Sequence, residues 1–221
     1  MVDERWATFD CYGTLVDWRS GIRSVLAELW PAADADLLLR RYYEIEPAVQ
    51  SGPMLTYRRV MAEALWRVAA AERLELPPDR ADALGSSLPS WQVFDEVPAA
   101  LRELRHRGWR LAILSNTDPD LLDASLTAIG VAVDERVVAS EVGSYKPAPG
   151  HWQTFFARTG ADHARHVHVA ASLFHDVAPC ADLGLRCLWI NRLAETSRLP
   201  RAAELVDLAG LSPQLEHLVP N

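Results

Sequence analysis

The sequence predicts an α/β protein with a doubly wound, Rossmann-like parallel sheet and an inserted all-helical domain. Two observations lead to this prediction. From residue 97 onward, short apolar segments alternate with amphipathic helical segments, which is typical of a parallel sheet with helices on both faces. Residues 18–90 instead repeat apolar side chains at helical spacing. We therefore assign residues 1–17 and 91–221 to a Rossmann-like core and residues 18–90 to a helical cap domain.

The core elements follow in order along the chain. A buried strand at residues 6–9 precedes the cap, and a helix at residues 97–108 follows it. The later strands are predicted at residues 109–116, 137–140, 166–172 and 186–191, and the later helices at residues 118–130, 149–160 and 176–184. Asp118 is the predicted N-cap of the first of these helices, with Pro119 at N1 and Gly130 at its end.

Composition excludes several classes of protein. The net charge of −8 and the pI near 5.3 disfavour nucleic acid or an anionic membrane as partner. Three cysteines without a CxxC or Cys/His spacing indicate neither a disulfide framework nor a zinc site. The chain has no run of 18 apolar residues and no signal-like start, so we expect a soluble, cytoplasmic protein.

Polar side chains follow the predicted strands at their carboxyl ends, where ligands bind in sheets of this kind. These residues are Asp10, Ser115, Asn116, Ser172 and Asp176. Lys146 also follows a strand and precedes a helix. We therefore expect these six residues to meet at one edge of the sheet.

Asp10 is the predicted centre of this group, because a carboxylate at the end of a buried strand needs a partner or a chemical role. Gly13 permits a tight turn, and Thr14 can donate a hydrogen bond to the Asp10 carboxylate. Lys146 would lower the pKa of Asp10 and keep it ionised, and such a carboxylate can form a covalent ester. The alternative is a structural Asp–Lys ion pair, with Ser115 and Thr14 capping helices. The presence of all these residues in this order along the chain favours a catalytic site over that alternative.

Four segments together resemble the motifs of the haloacid dehalogenase superfamily: "FDCYGTLVD", "ILSN", "YKPAP" and "ASLFHD". The resemblance covers the whole predicted core, and the helical insertion matches the small cap domain of that superfamily. It implies that Asp10 is the nucleophile and that Ser115 and Asn116 bind substrate. It further implies that Lys146 holds the charge of Asp10 and that Asp176 supports the last step.

Two differences separate this chain from the phosphatases of the superfamily. Phosphatases usually carry a second Asp in the first motif, which protonates the leaving alcohol, and here that residue is Tyr12. They also tend to carry a Gly-Asp pair whose carboxylate binds Mg²⁺, and here Ala170 and Ala171 stand there. Both differences match the 2-haloacid dehalogenase branch, so the resemblance implies no metal and no cofactor.

The implied reaction is hydrolysis of a short 2-haloalkanoic acid to a 2-hydroxy acid. Asp10 attacks C2 and expels halide, and water then hydrolyses the aspartyl ester. An arginine from the cap stabilises the halide in this family; Arg41 is the matching position and Arg40 its rival. If Arg41 has this role, its removal should cost about 10²–10³ in rate. The substrate-binding residues implied by the resemblance are Tyr12, Thr14, Ser115, Asn116, Trp152 and Ser172, although the surrounding segment "HWQTFF" favours a place for Trp152 in the apolar core.

The last motif departs from the dehalogenase pattern, because Ala171 and Leu173 replace an expected Ser and Asn. The affected step would be hydrolysis of the ester. His175 could help Asp176 activate the water, or it could merely cap a helix.

Two other functions stay open at this point. One is a Mg²⁺-dependent phosphatase that uses Asp10 as phosphoryl acceptor, and the other is a non-catalytic protein that binds a small carboxylate or a protein partner. The apolar helices of the cap are also compatible with a homodimer.

Overall fold

The computed structural model describes residues 4–221, and these contain one parallel sheet of six strands. The strands are β1 (Arg5–Phe9), β2 (Trp109–Ser115), β3 (Glu135–Val138), β4 (His166–Ala170), β5 (Cys187–Ile190) and β6 (Ala203–Leu205). Their order in the sheet is β3-β2-β1-β4-β5-β6, and every neighbouring pair is parallel. The chain therefore winds outward in both directions from β1, which confirms the predicted doubly wound α/β class.

The ten α-helices described flank this sheet or precede its second strand. They are α1 (Trp18–Leu29), α2 (Ala35–Gln50), α3 (Tyr57–Ala71), α4 (Ala83–Ser87), α5 (Val97–His106), α6 (Pro119–Ile129), α7 (Ala139–Val142), α8 (Gly150–Thr159), α9 (Ala178–Asp182) and α10 (Leu211–Leu218). Residues 18–90, all of which are described, contain helices and no strand. One apolar cluster includes both Phe9 of β1 and Leu39 of α2, so the domain limits at residues 17 and 91 stay a prediction.

The central strand is buried on both faces, because side chains alternate across a strand. Ala7 and Phe9 belong to the apolar cluster shared with α1–α3, whereas Trp6 points into a second cluster with Trp152 and Phe155 of α8. The carboxyl end of β1 is thus the place where the sheet and the helices of residues 18–90 come together. None of the helices among residues 4–221 is both long and apolar enough to cross a membrane.

Two predicted element bounds were wrong. The third strand lies at Glu135–Val138 and not at 137–140, because Ala139 and Ser140 already belong to α7. The helix after β4 begins earlier than residue 176, with a π-helical turn at Leu173–Val177. Asp118, Pro119 and Gly130 begin and end α6 as predicted, although the Asp118 carboxylate makes no capping hydrogen bond to α6. This carboxylate accepts hydrogen bonds from the backbone N–H groups of Tyr57 and Arg58 at 2.9 and 3.0 Å, at the start of α3.

Candidate active site

A cavity of about 540 Å³ opens at the carboxyl ends of β1, β2 and β4, between the sheet and helices α1–α3. Eight of the predicted site residues line it: Asp10, Tyr12, Ser115, Asn116, Lys146, Ser172, His175 and Asp176. Thr14 lies directly behind Asp10 and is fully buried. The structure therefore brings together nine of the eleven predicted residues.

The loop after β1 presents Asp10 to this cavity. The backbone N–H of Asp10 still bonds to Val169 of β4 at 3.1 Å, so the residue is held at the strand end. Gly13 then turns the chain with φ of +95°, a conformation that suits glycine. A Cβ at Gly13 would also lie 2.8 Å from the Trp18 ring nitrogen. Thr14 returns to donate its hydroxyl to Oδ2 of Asp10 at 3.0 Å.

Lys146 joins the two catalytic carboxylates of the predicted site. Its Nζ donates to Oδ1 of Asp10 at 2.9 Å, to Oδ1 of Asp176 at 2.6 Å and to the carbonyl of Leu114 at 2.8 Å. All three donors of the ammonium are thus used, and the side chain is 1% exposed. Lys146 is also the single lysine of the sequence.

The pKa of Asp10 is shifted in the opposite direction from that expected from the sequence. Burial raises the pKa of Asp10, and the neighbouring Asp176 adds to this effect; Lys146 and Thr14 oppose it. The expected lowering by Lys146 is therefore present but is outweighed, because one ammonium serves two buried carboxylates. The attraction of both carboxylates raises the pKa of Lys146 despite its burial. Lys146 also lowers the pKa of Asp176, against the effect of burial. The site thus keeps Asp176 ionised and makes Asp10 the carboxylate that protonates first on acidification.

Asp176 is held from behind by a buried chain of hydrogen bonds that sequence analysis missed. His168 Nε2 lies 2.9 Å from Oδ1 of Asp176, and its Nδ1 lies 2.8 Å from the Thr8 hydroxyl. Because Asp176 accepts, His168 donates through Nε2 and takes the Thr8 proton at Nδ1; Thr8 in turn accepts from His166 at 2.8 Å. The other oxygen of Asp176, Oδ2, is buried with no partner among residues 4–221. That oxygen is the one left to bind a water in the cavity.

The side chains of Ser115 and Asn116 differ in their hydrogen bonding at the end of β2. The Ser115 hydroxyl has no hydrogen-bond partner within the described chain and lines the cavity. The Asn116 side chain instead clamps the backbone of Lys146, donating to its carbonyl at 3.0 Å and accepting from its N–H at 2.7 Å. Asn116 therefore positions Lys146, and Ser115 is the freer of the two to contact a ligand.

Tyr12 contributes a ring to the cavity wall and turns its hydroxyl away. The hydroxyl lies 3.1 Å from Oγ of Ser125 in α6, and the ring stacks against Tyr57 at 6.3 Å between centroids. Burial raises the pKa of the Tyr12 hydroxyl. Tyr12 is thus poorly suited to protonate a leaving group.

Ser172 and His175 interact with each other at the cavity wall. The Ser172 hydroxyl accepts from the backbone N–H of His175 at 3.0 Å and lies 3.2 Å from its Nδ1. Burial lowers the pKa of His175 to about 4, so the ring is neutral at pH 7. Its Nε2 has no partner within residues 4–221. The hydrogen bond from the His175 backbone N–H to the Ser172 hydroxyl caps the helical turn that follows Ser172. The activation of water by His175 stays a prediction.

Arg41 lies outside the cavity, contrary to the placement that the resemblance implied, whereas Trp152 lies in the apolar core, which its sequence context favoured. Arg41 is 46% exposed on α2 and pairs with Glu44 and Glu72, each at 2.9 Å. Its rival Arg40 is exposed as well. Trp152 packs in the second apolar cluster, with its ring edge-on to His168 at 5.4 Å.

The cavity wall formed by the helices has a different composition from that expected. Its residues include Trp18, Arg19, Tyr43, Glu46 and Tyr57, and Phe94 lines the cavity from the loop before α5; none of these was predicted. Glu46 had a visible signal in the sequence. It lies on the buried stripe of α2 together with Leu38, Leu39, Tyr42 and Val49, where helical spacing favours apolar residues.

Burial raises the pKa of Glu46 from 4.5 to about 7, although hydrogen bonds from Tyr57 and Tyr42 oppose the shift. The folded protein therefore binds a proton here more tightly than the unfolded chain does. This contribution to stability is fully present at acid pH and is lost as pH rises from about 4.5 through 7. Relative to Glu46→Gln, the free energy of unfolding of the wild type should fall by about 3 kcal/mol between pH 4.5 and pH 8.5.

Urea denaturation of both proteins across this pH range measures the difference. Glu44→Gln is the matched control, because Glu44 lies on the same helix, is 63% exposed and has a partner in Arg41. A pH-independent difference between the wild type and Glu46→Gln would contradict the raised pKa.

The chain and its fold are similar to those of several known proteins. A family model described as haloacid dehalogenase-like hydrolase matches residues 5–184. The (S)-2-haloacid dehalogenase 4A of Burkholderia cepacia is 28% identical over 198 residues, which cover 87% of this chain and 85% of that protein. Haloacetate dehalogenase H-2 of a Moraxella species is 28% identical over 83% of this chain and 84% of its own. Among solved structures, the L-2-haloacid dehalogenase RSc1362 superposes with a TM-score of 0.85 at 25% identity, over 98% of this chain and 99% of that chain.

Proposed function

Since the chain belongs to the haloacid dehalogenase-like hydrolase family, we propose that it hydrolyses short 2-haloalkanoic acids to 2-hydroxy acids through an ester of Asp10. One observation carries the proposal. Asp10 lines the cavity and is bound by Lys146 and Thr14, and Tyr12, two positions later, offers no acid. Halide is a competent leaving group without protonation, so this site suits a carbon–halogen bond better than an alkyl phosphate.

In the first step a carboxylate oxygen of Asp10 attacks C2 of the substrate from the side opposite the halogen. The new C–O bond forms as the carbon–halogen bond breaks, and halide leaves with the bonding electron pair. The product of this step is an ester between Asp10 and the 2-carboxyalkyl group.

In the second step water attacks the carboxyl carbon of Asp10. The negative charge that develops on the Asp10 oxygen is stabilised by Lys146, whose Nζ lies 2.9 Å from Oδ1 in the resting site. Oδ2 of Asp176 is the free acceptor that orients the water. Collapse restores Asp10 and releases the 2-hydroxy acid, whose hydroxyl oxygen derives from Asp10, with one net proton released.

The test is halide release from a panel of short 2-halocarboxylates in excess EDTA, including both enantiomers of 2-chloropropionate and fluoroacetate. We expect release from one enantiomer of 2-chloropropionate. No release, together with Mg²⁺-dependent hydrolysis of p-nitrophenyl phosphate, would support the phosphatase alternative instead. That alternative has less support, because Ala171 lines the cavity where the resemblance predicts a metal-binding carboxylate.

Because Arg41 does not line the cavity, we infer that another cation stabilises the halide or the substrate carboxylate. Besides Lys146, the cations that line the cavity are Arg19 and Arg192. Arg192 already pairs with Glu96 at 2.5 Å, whereas Arg19 has no ion pair with any residue in the described range. We therefore assign the stabilisation of the halide or the substrate carboxylate to Arg19.

Arg19→Ala should lower kcat/KM for halide release by about tenfold or more, because an anion in the cavity loses its counter-charge. Arg41→Ala should change it by less than about threefold, since exposed ion pairs contribute little. Steady-state kinetics of both variants decide the matter. A loss of 10² or more for Arg41→Ala with normal activity of Arg19→Ala would overturn the assignment.

Homodimer formation and a cytoplasmic location remain proposals from the sequence. Size-exclusion chromatography with light scattering tests the first.

A further inference from the structure

Glu46 is a buried carboxyl in the cavity wall opposite the sheet. It is 5% exposed, and only its Oε1 accepts hydrogen bonds, from the hydroxyls of Tyr42 at 3.1 Å and Tyr57 at 2.9 Å. No residue in the range 4–221 is hydrogen-bonded to Oε2. Glu46 lines the same cavity as Asp10, so Oε2 is the oxygen available to a ligand there.

Glu46 also lacks a counter-ion, in contrast to Asp10, Asp176 and Glu216. Asp10 and Asp176 share Lys146, and Glu216 pairs with Arg5 at 2.9 Å. Within the part of the chain that the structure covers, no cation lies within 4 Å of Glu46. An unpaired buried carboxylate is costly, and a cation delivered by a ligand would relieve that cost.

The surroundings of Glu46 suit an organic cation. The rings of Tyr43 and Tyr57 line the same cavity, and Trp18 lies 4.9 Å from Tyr43 between ring centroids. Aromatic faces attract ammonium groups, especially where water is excluded. A carboxylate amid several rings is therefore complementary to an alkylammonium ion.

We propose that Glu46 and these rings form a subsite for an ammonium group at the end of the substrate distant from C2. The preferred substrate is then a 2-halocarboxylate whose chain ends in a cationic nitrogen. That the other end of the substrate is a 2-halocarboxylate rests on the proposed function. The cation subsite is inferred from the residues around Glu46 alone.

The first experiment measures binding alone, by calorimetric titration of the full-length protein with choline and with its neutral isostere 3,3-dimethylbutan-1-ol at pH 8. We expect choline to bind at least about tenfold more tightly than the isostere. Glu46→Gln should remove this preference while retaining the two tyrosine hydrogen bonds. Glu44→Gln, on the exposed face of the same helix, should keep it. Equal binding of both probes by the wild type, or an unchanged preference in Glu46→Gln, would overturn the subsite.

A second readout is the pH dependence of choline binding. The groups that face Glu46 are Tyr42 and Tyr43 on its own helix, Tyr57 from α3 and Tyr145 from the loop after α7, all with raised pKa and neutral up to pH 9. Asp17 and Arg19 face the same cavity from the start of α1. The affinity should rise by about tenfold or more between pH 5.5 and pH 8 in the wild type and stay flat in Glu46→Gln. A flat wild-type profile contradicts the proposal.

The third experiment joins the subsite to the reaction. Halide release is compared for 2-chloro-5-(trimethylammonio)pentanoate and its neutral isostere 2-chloro-6,6-dimethylheptanoate. A preference for the cationic substrate that Glu46→Gln abolishes supports both proposals. Choline binding that depends on Glu46 without halide release from any compound supports the subsite and rejects the dehalogenase function. Halide release without any cation preference rejects the subsite and keeps the function.

Discussion

Asp10→Asn should lower halide release by about 10⁴-fold or more, because an amide oxygen is too weak a nucleophile to displace halide from C2. The substitution keeps the size of the side chain and its contact with Thr14, so the fold should survive. The measurement is steady-state halide release, with circular dichroism and thermal unfolding as checks on structure. Asp79→Asn is a matched control on an exposed turn and should retain full activity.

Isotope labelling tests the same residue without a mutation. In a single turnover with excess enzyme in H₂¹⁸O, the label should enter Asp10 and the first product should carry ¹⁶O at its hydroxyl. Mass spectrometry of the peptide that contains Asp10 reads the result. Label found first in the product would mean that water attacks C2 directly, and the ester route would be wrong.

Lys146→Met should be the most destabilising of the proposed substitutions. It leaves Asp10 and Asp176 buried without their shared cation, and removing one partner of a buried pair typically costs about 3–5 kcal/mol. Halide release should also fall by several orders of magnitude, since the charge on Asp10 loses its stabilisation. Urea denaturation measures the first effect and steady-state kinetics the second.

The loss of stability in Lys146→Met should depend on pH. Without the ammonium, the pKa values of Asp10 and Asp176 rise in the folded state, so the two carboxyls destabilise the fold more as they ionise. The loss relative to the wild type should therefore be larger at pH 8 than at pH 5. Arg23→Met is the control; it removes an exposed pair with Asp36 and should change the free energy of unfolding little at either pH. A smaller loss at pH 8 than at pH 5 would contradict the charge balance of the site.

The single lysine offers an independent measurement in the wild type. With ¹⁵N-labelled lysine, the one side-chain Nζ signal reports on Lys146. We expect it to remain protonated through pH 10.4, where an ordinary lysine is half titrated. A normal titration would show that Lys146 does not hold both carboxylates in solution.

The sequence alone led to the α/β class, the parallel sheet and the group of residues around Asp10. These follow from local rules: apolar segments predict buried strands, and the strand ends of a parallel sheet meet at one edge. Asp10, Ser115, Lys146 and Asp176 each lie at or after such an end and line the cavity as expected. Short elements such as the three-residue β6 were not predicted, because a segment of three residues is too short to show a hydrophobic period.

The wall of the cavity opposite the sheet depended on the tertiary structure. Arg41 and Glu46 lie on the same helix, five residues apart, which places them about 140° apart around its axis. Packing of α2 against α1 and α3 turned Glu46 into the cavity and left Arg41 in solvent. The buried chain from His166 through Thr8 to His168 likewise exists only because β1 and β4 are neighbours in register. Residues at strand ends were thus predictable from local pattern, whereas residues on helices were placed by the free energy of packing between distant segments.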